Sequence, residues 1–331
     1  MNQVKSSAPL LSVRELSVEF PTRHGVLHAL DRVSFDIAPG EILGVVGESG
    51  AGKSLTGAAI IGLLEPPGRV ASGEIWFEGQ RIDNLPPEGM RRLRGRKIGA
   101  IFQDPLTSLN PLFTVGQQLI QTIRTHLPLD EREARERAID LLRQTGIPAP
   151  EARIDQYPHQ FSGGMRQRVV IALALAAEPK LIVADEPTTA LDVSIQAQII
   201  ALLRRVCREH GAAVMLVTHD MGVIAETCDR VAVMYAGRVV EIGPVHQVIH
   251  CPAHPYTIGL MGSIPSMATD RERLQQIDGA MPRLNAMPPG CAFHPRCAQA
   301  GPRCSRDLPA LIDVGTTRAA CWVHDAHGVQ A

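Results

Sequence analysis

The chain has 331 residues, 45% of them hydrophobic, and its 33 basic and 34 acidic residues leave a formal net charge of −1. This length allows one large domain or two modest ones, and the apolar content allows a sizeable core. The charge balance argues against a nucleic-acid partner, because nucleic-acid binders normally carry a basic excess.

The longest uninterrupted apolar run, Val169–Ala177, has nine residues, whereas a membrane span needs about 20. Residues 1–8 hold one lysine and no apolar stretch, so no secretory signal is apparent. We therefore expect the chain to lie in the cytosol, where disulfides are rare. Cys207, Cys228 and Cys251 are interpreted as ordinary thiols.

Residues 11–46 are predicted to form strands. Val33, Phe35 and Ile37 alternate with polar residues as in a half-buried strand, and residues 41–46 form a short apolar run of strand length. A glycine-rich loop follows, and the apolar stretch after Lys53 is long enough for a helix.

The rest of the first 250 residues alternates between predicted strands and helices. Asp130 is predicted to cap a helix within a helical region from about 113 to 177. The inward face of that helix would carry Ala134, Ala138, Leu141 and Leu142. Strands are predicted at 73–82, 97–102, 181–184 and 213–217, and a further helix at 193–208. This alternation indicates an α/β core with a largely parallel sheet.

The loop at 47–54 reads GESGAGKS and fits the phosphate-binding pattern G-x-x-x-x-G-K-[ST]. Its glycines let backbone N–H groups close around phosphates, and the following helix points its positive end at the same anions. Lys53 is expected to reach the β- and γ-phosphates, and the Ser54 hydroxyl to ligate Mg²⁺. The predicted nucleotide-binding residues of this loop are Gly47, Ser49, Gly50, Ala51, Gly52, Lys53 and Ser54.

The apolar strand at 181–184 ends in Asp185, followed at once by Glu186. A P-loop enzyme places its second magnesium contact at such a strand end, usually through water. Glu186 beside the metal would orient or deprotonate the attacking water. Taken alone, the pair also fits a solvated Asp-Glu turn before Pro187, but the upstream P-loop favours the catalytic interpretation.

The segment Phe161-Ser162-Gly163-Gly164-Met165 resembles the LSGGQ signature of ABC ATPases. The resemblance covers residues 11–250 with its motifs in the expected order. It implies that Gln103 of the Q-loop contacts both ATP and Mg²⁺, and that Phe20 stacks on adenine. It implies further ATP contacts from the signature residues Ser162, Gly163 and Gly164. Asp192 of the D-loop, Ala190-Leu191-Asp192, would contact ATP as well. It also implies a catalytic role for the switch histidine, His219.

The same resemblance implies a P-loop NTPase fold of the α/β class over residues 9–250. A helical signature subdomain at about 104–177 and an antiparallel β subdomain complete that domain. Residues 251–331, rich in proline and holding five of the seven cysteines, are predicted to form an irregular, Cys-rich extension.

Family members pair two such domains head to tail around two ATP molecules. The resemblance therefore implies a second ABC ATPase subunit, identical or paralogous, together with two transmembrane permease subunits. The segment 104–113 lies where family members contact the permeases. The chain would then lie on the cytoplasmic face of the membrane.

The segment differs from LSGGQ at two positions, with Phe161 in place of leucine and Met165 in place of glutamine. Both differences match the FSGGMRQR variant common in peptide-importer ATPases. Residues 251–257 (CPAHPYT) and 290–297 (GCAFHPRC) are similar to the tail of oligopeptide/dipeptide importer ATPases. This similarity implies di- or oligopeptide uptake with an extracytoplasmic cargo-binding protein. Nickel or glutathione import is the alternative within the family, and an ABC exporter fits the tail less well.

A soluble ABC ATPase acting on DNA or ribosomes is an alternative of another class. Chromosome-structure ATPases insert a long coiled coil between P-loop and signature, but Gly47 and Ser162 are only 115 positions apart. Translation-type members carry two ATPase domains in one chain, and this chain has one.

Cys291, Cys297, Cys304 and Cys321 follow the spacing C-x5-C-x6-C-x16-C. Four thiols in a segment with little core suggest a metal staple, although the paired knuckles of structural zinc are absent and the ferredoxin spacing is missed. Some peptide-importer ATPases carry a [4Fe–4S] cluster on this cysteine set, so the resemblance implies that cluster, with Zn²⁺ as the alternative. His294 could replace one ligand, although a place outside the ligand set or on the surface fits it better. Four unlinked cytosolic thiols are the alternative without a metal.

Overall fold

The computed structural model describes residues 8–189, 192–263 and 277–325. The chain divides into two compact units: the first comprises residues 1–11, 37–42 and 77–217, and the second residues 12–36, 43–76 and 218–331. Among the helices of the described ranges, none has both the length and the apolar character that crossing a membrane requires.

The bounds of the strands and helices are as follows. The strands are β1 (Leu11–Thr22), β2 (Gly25–Ile37), β3 (Ile42–Val46), β4 (Arg69–Phe77), β5 (Gln80–Arg81), β6 (Ile98–Ile101), β7 (Leu181–Asp185), β8 (Ala213–Val217), β9 (Arg230–Tyr235), β10 (Arg238–Pro244), β11 (Ile312–Val314) and β12 (Thr317–Ala319). The helices are α1 (Lys53–Ile60), α2 (Pro87–Leu93), α3 (Pro105–Ser108), α4 (Val115–His126), α5 (Glu131–Gln144), α6 (Pro150–Arg153), α7 (Gly163–Leu175), α8 (Val193–His210), α9 (Met221–Thr227), α10 (Val245–His250) and α11 (Pro255–Gly262). Short 3₁₀ turns lie at Pro158–Gln160, Leu284–Ala286, His294–Arg296, Pro302–Ser305 and Trp322–His324.

The first unit contains three parallel strands in the order β8-β7-β6. The first four residues of β7 are fully buried and apolar, as expected of a parallel strand covered on both faces. Asp185 ends β7 opposite Val217 of β8. Because parallel strands end at the same edge of a sheet, Asp185 and the residues after β6 are directed to one edge.

The predicted cap of α5 is confirmed. The Asp130 carboxylate accepts from the backbone N–H of Glu133, and the Glu133 side chain accepts in return from the Asp130 N–H, which forms a capping box. The four residues predicted for the inward face, Ala134, Ala138, Leu141 and Leu142, are buried. This face packs the helix against α4 and α7, which builds the helical region that carries the signature segment.

The second unit contains five strands in the order β11-β12-β10-β9-β3. Strand β3 runs parallel to β9, whereas β9, β10, β12 and β11 pair antiparallel in succession. All five residues of β3 are buried. The glycine-rich loop begins at the end of this strand, so its first residue is fixed by a buried strand that pairs with β9. Strand β1 lies between β2 and β4 in a separate sheet.

The prediction of an irregular C-terminal extension is wrong for residues 312–319. Strands β11 and β12 form a hairpin that adds to the edge of β10, with Ala319 opposite Glu241. Each of these strands is only three residues long, which is too short to show an alternating hydrophobic pattern in the sequence. Their formation depends instead on pairing with the edge of β10.

Candidate functional site

The loop from Gly47 to Gly52 turns directly from β3 into α1. Gly47 has φ 153°, and a Cβ atom added there would lie 2.2 Å from the Met234 carbonyl oxygen. Gly52 has φ 100°, and an added Cβ would lie 2.6 Å from Leu30 Cδ2. Both positions therefore require glycine for backbone conformation and for space.

Lys53 closes the loop from within. Its side chain is buried, and Nζ donates hydrogen bonds to the carbonyl oxygens of Gly47 (2.8 Å) and Glu48 (3.0 Å). Ser49 and Ser54, in contrast, are exposed. The loop thus curls around an ammonium group and presents hydroxyl and backbone groups at the N-terminus of α1, an arrangement that suits an anion.

Two residues of the C-terminal extension contact this loop, and sequence analysis missed both. The Tyr256 hydroxyl accepts a hydrogen bond from the Glu48 N–H (2.9 Å), and the Arg296 guanidinium donates to the Glu48 carboxylate (3.0 Å). Both residues lie in the segments that resemble importer tails, but nothing in those segments indicates which part of the chain they contact.

In the first unit, the structure brings Gln103 and Glu186 together. Gln103 Nε2 donates to Glu186 Oε2 at 3.1 Å, and the Thr189 hydroxyl donates to the same oxygen at 2.9 Å. Glu186 has φ 45°, an uncommon value for a residue other than glycine, and its N–H donates to the Val217 carbonyl oxygen. Strained backbone of this kind concentrates at functional sites because surrounding contacts hold it there. Asp185, directly before it, is half-buried.

The signature segment opens α7. Ser162 occupies the N-cap, and its hydroxyl accepts from the Met165 N–H. Ser162 and Gly163 are exposed, whereas Phe161 is buried. A Cβ added to Gly164 would lie 2.9 Å from Ile195 Cγ2. Phe161, which stands where the LSGGQ signature has leucine, is thus an apolar replacement in the core, whereas Ser162 and Gly163 face solvent and Gly164 is half-buried.

The remaining predicted site residues lie on different elements. Phe20 on β1 is half-buried, and its ring lies beside Gly68. His219 follows β8 and is exposed. Asp192 occupies the N-cap position of α8 without a capping side-chain bond. The other two residues of the predicted D-loop, Ala190 and Leu191, lie outside the described residues.

The four C-terminal cysteines, Cys291, Cys297, Cys304 and Cys321, line one cavity together with Phe293 and His294. Burial and the nearby thiols raise the pKa of Cys291, and the pKa values of Cys297 and Cys321 are raised in the same way. His294 Nδ1 lies 2.9 Å from the Cys291 carbonyl oxygen. Within the described ranges, no three His, Cys, Asp or Glu side chains approach closely enough to hold a single metal ion.

The other cysteines fit their interpretation as ordinary thiols. Cys207 and Cys228 are buried in the core, and burial raises the pKa of each to about 12. Such thiols stay protonated and unreactive at neutral pH. Cys251 is an exposed free thiol.

Residues 30–189 match the family model described as ABC transporter, and residues 240–304 match that of the oligopeptide/dipeptide transporter C-terminal region. The chain is 48% identical over 302 residues to the dipeptide transport ATP-binding protein DppD of Escherichia coli, covering 91% of this chain and 92% of that protein. It is 46% identical over 324 residues to DppD of Bacillus subtilis, covering 97% of each.

Two solved structures are similar to the described fold. One is the ATP-binding cassette MJ0796 in a dimeric post-hydrolysis state bound to ADP and Pi, with a TM-score of 0.64 and 29% identity over 71% of this chain and 98% of that one. The other is cbiO1 from Clostridium perfringens, part of the ABC transporter complex cbiONQ, with a TM-score of 0.63 and 33% identity over 73% of this chain and 91% of that one.

These findings place the chain in the ABC transporter family, as an ATP-binding cassette that hydrolyses ATP. Within the family it belongs to the group that carries the C-terminal region of oligopeptide/dipeptide transporters.

Gly47→Ala tests the close approach at the start of the loop. We expect MgATP affinity to fall at least about tenfold, equal to about 1.4 kcal/mol, because the new Cβ displaces the loop from the Met234 carbonyl. Gly25→Ala is the matched control, since Gly25 also has positive φ (123°) but has open space around it. Calorimetric titration with MgATP measures both, and equal affinities for the two variants would contradict the steric argument.

Proposed function

We propose that this chain is the ATP-hydrolysing subunit of an ABC importer for di- or oligopeptides. The observation that carries the proposal is the 48% identity to a dipeptide transport ATP-binding protein over 91% of the chain. The ATPase domain would span residues 9–250, with its helical subdomain at 104–177 and the extension at 251–331. Nickel or glutathione import by the same group is the second candidate, because the ATPase itself does not contact cargo.

The glycine-rich loop would hold the phosphates of ATP. Its backbone N–H groups and the N-terminus of α1 supply the anion site, and the buried Lys53 ammonium supplies a point charge for the β- and γ-phosphates. Ser49, Gly50, Ala51 and Gly52 contribute backbone or hydroxyl groups at the same place, and Phe20 would stack on adenine. Ser54, Asp185 and Gln103 would hold Mg²⁺, which neutralises charge that develops on the phosphates during transfer.

Glu186 would act as the general base. Its carboxylate oxygen accepts from Gln103 and Thr189, which orients it, and its place beside the magnesium-binding Asp185 suits it to take a proton from the attacking water. His219 would assist as the switch histidine, because an exposed imidazole can hydrogen-bond a γ-phosphate.

A single chain would form only half of each active site. Exposed Ser162 and Gly163, with Gly164 and Asp192, would contact the γ-phosphate bound by a second ATPase subunit. Two permease subunits would dock on the segment 104–113, where Leu106 and Leu112 are 61% and 80% exposed. Large apolar side chains exposed together are typical of an interaction surface. The chain would thus lie on the cytoplasmic face of the membrane, and an extracytoplasmic protein would deliver the cargo.

The four C-terminal cysteines would hold a [4Fe–4S] cluster. The support for this proposal is that all four cysteines line one cavity, so a cluster bound by four thiolates would draw on all of them; Zn²⁺ is the alternative. Burial and the neighbouring thiols raise the pKa values of Cys291, Cys297 and Cys321, and a bound cation would favour their thiolates. Such a cluster would supply cross-linking of the extension.

Glu186→Gln separates binding from chemistry. We expect hydrolysis to slow by about 10²–10⁴-fold, because the amide cannot accept a proton, while MgATP binding persists. Glu178→Gln is the control, since Glu178 is exposed and pairs only with Arg137 among the contacts described. Phosphate release measures hydrolysis, and full activity of Glu186→Gln would move the base elsewhere.

Completion of the site by a second subunit predicts weak activity for the isolated chain. Turnover per chain should rise with protein concentration, and again when the partner ATPase and both permeases are added in detergent or nanodiscs. Copurification from the native host would supply those partners. High turnover that does not depend on concentration would contradict a site shared between two subunits.

Purification without oxygen, followed by iron, sulfide and zinc analysis, tests the cysteine cavity. We expect four irons and four sulfides per chain, with brown colour that fades in air. Cys297→Ser should lose iron, whereas Cys251→Ser should keep it because Cys251 lies outside the cavity. One zinc per chain would favour the alternative metal, and metal-free protein with four alkylated thiols would defeat both.

A further inference from the structure

Glu48 connects the phosphate-binding loop to the C-terminal extension in two ways. Its backbone N–H donates to the Tyr256 hydroxyl at 2.9 Å, and its carboxylate accepts from Arg296 Nη1 at 3.0 Å. Both contacts lie within the second unit. They fix the backbone and the side chain of the same loop residue, whose identity the phosphate-binding pattern leaves open.

The Arg296 side chain is held in place before it reaches the loop. It is only 7% exposed, and its guanidinium also donates to the carbonyl oxygens of Asp278 (2.9 Å) and Ile277 (3.3 Å) and to the Tyr235 hydroxyl (3.3 Å). The planar guanidinium loses little further freedom when it binds the carboxylate. Exposed ion pairs contribute little to stability, but this nearly buried, charge-assisted bond has a fixed geometry.

The Tyr256 ring is fixed as well. It is fully buried, with its centroid 4.7 Å from that of Tyr235 and 5.4 Å from that of Phe293. Arg296 lies within 6 Å of the Tyr235 and Phe293 rings, at 5.8 Å and 5.9 Å. Burial raises the pKa of Tyr256, so the hydroxyl remains neutral and available as an acceptor for the loop.

The base of the extension is attached to the core of the unit. The buried Glu241 carboxylate on β10 accepts from the backbone N–H groups of Ala253 (2.8 Å) and His254 (2.9 Å). His254 Nδ1 in turn accepts from the Tyr256 N–H and caps α11. Tyr256 is therefore positioned by a series of hydrogen bonds that begins at Glu241 on β10.

We propose that Arg296 and Tyr256 are positioning residues that hold the phosphate-binding loop in its anion-binding shape through Glu48. The C-terminal extension is then part of the nucleotide-binding machinery and acts through Glu48 without touching the phosphates. This inference rests on the proposed role of the loop and of Lys53 in nucleotide binding.

Calorimetric titration of the full-length chain with MgADP tests the proposal without turnover. Arg296→Met keeps the length of the side chain over the aromatic rings but removes the donor, and Glu48→Gln weakens the same bond from the loop side. Each should raise the Kd about tenfold, and the double variant should be no weaker than either single one, because both remove one interaction. Arg318→Met is the matched control, because the ion pair of Arg318 with Asp313 lies in the same extension. The Kd of this variant for MgADP should not change.

A local measurement separates positioning from general stability. Tyr256→Phe keeps the ring and removes the acceptor, so hydrogen exchange of a peptide spanning 43–55 should accelerate while exchange of β12 stays unchanged. A drop in melting temperature with unchanged Kd and unchanged loop exchange would reduce both residues to a structural role and overturn the proposal. If Arg296→Met does not fold, Glu48→Gln and Tyr256→Phe decide the question by the same criteria.

Lys53→Ala separates the role of the loop in nucleotide binding from the role of the residues that position it. It should weaken MgADP binding strongly, because it removes the point charge on the phosphates. Unchanged binding in Lys53→Ala would defeat the proposed role of the loop itself. Weakened binding in Lys53→Ala combined with unaltered Kd in Arg296→Met and Glu48→Gln would defeat only the positioning role.

Discussion

The phosphate-binding loop depends on the close approach of its backbone to neighbouring atoms, which is possible only where the loop residues have no side chain. Gly47 lies against the Met234 carbonyl, and Gly52 lies against Leu30, so the loop can curl tightly enough to enclose the Lys53 ammonium. Only such a loop exposes consecutive N–H groups at the N-terminus of a helix, where they and the helix dipole favour bound phosphate. The buried strand β3 fixes where the loop starts, and α1 fixes where it ends.

The proposed hydrolytic chemistry depends on a second set of constraints. Glu186 is held with positive φ at the end of a buried parallel strand, and Gln103 and Thr189 share one oxygen of its carboxylate. The exposed Ser162 caps α7 and, together with Gly163, faces solvent. Signature residues that face solvent are free to contact the nucleotide bound by a second ATPase subunit. In the proposed function, nucleotide binding and pairing of the two subunits are therefore coupled.

Local sequence patterns predicted the structure correctly where a residue type has one well-defined physical role. The Asp130 cap, the buried runs of β7 and β8, and the glycine-rich loop all follow from capping, burial or backbone freedom. The hairpin of β11 and β12 could not be predicted, because three-residue strands have no period and depend on the edge of β10. The bond between Glu48 and Arg296 joins residues 248 positions apart, and only the tertiary fold brings them together.

Transport by reconstituted complexes tests most directly whether ATP hydrolysed by this chain energises uptake. Proteoliposomes would contain the chain, its partner ATPase and both permeases, with the cargo-binding protein and a radiolabelled dipeptide on the opposite side. We expect the dipeptide to accumulate against its gradient only when MgATP is present on the side of the ATPase, and accumulation to stop when this chain is left out. Accumulation that is equal with and without MgATP, or with and without this chain, would contradict this role.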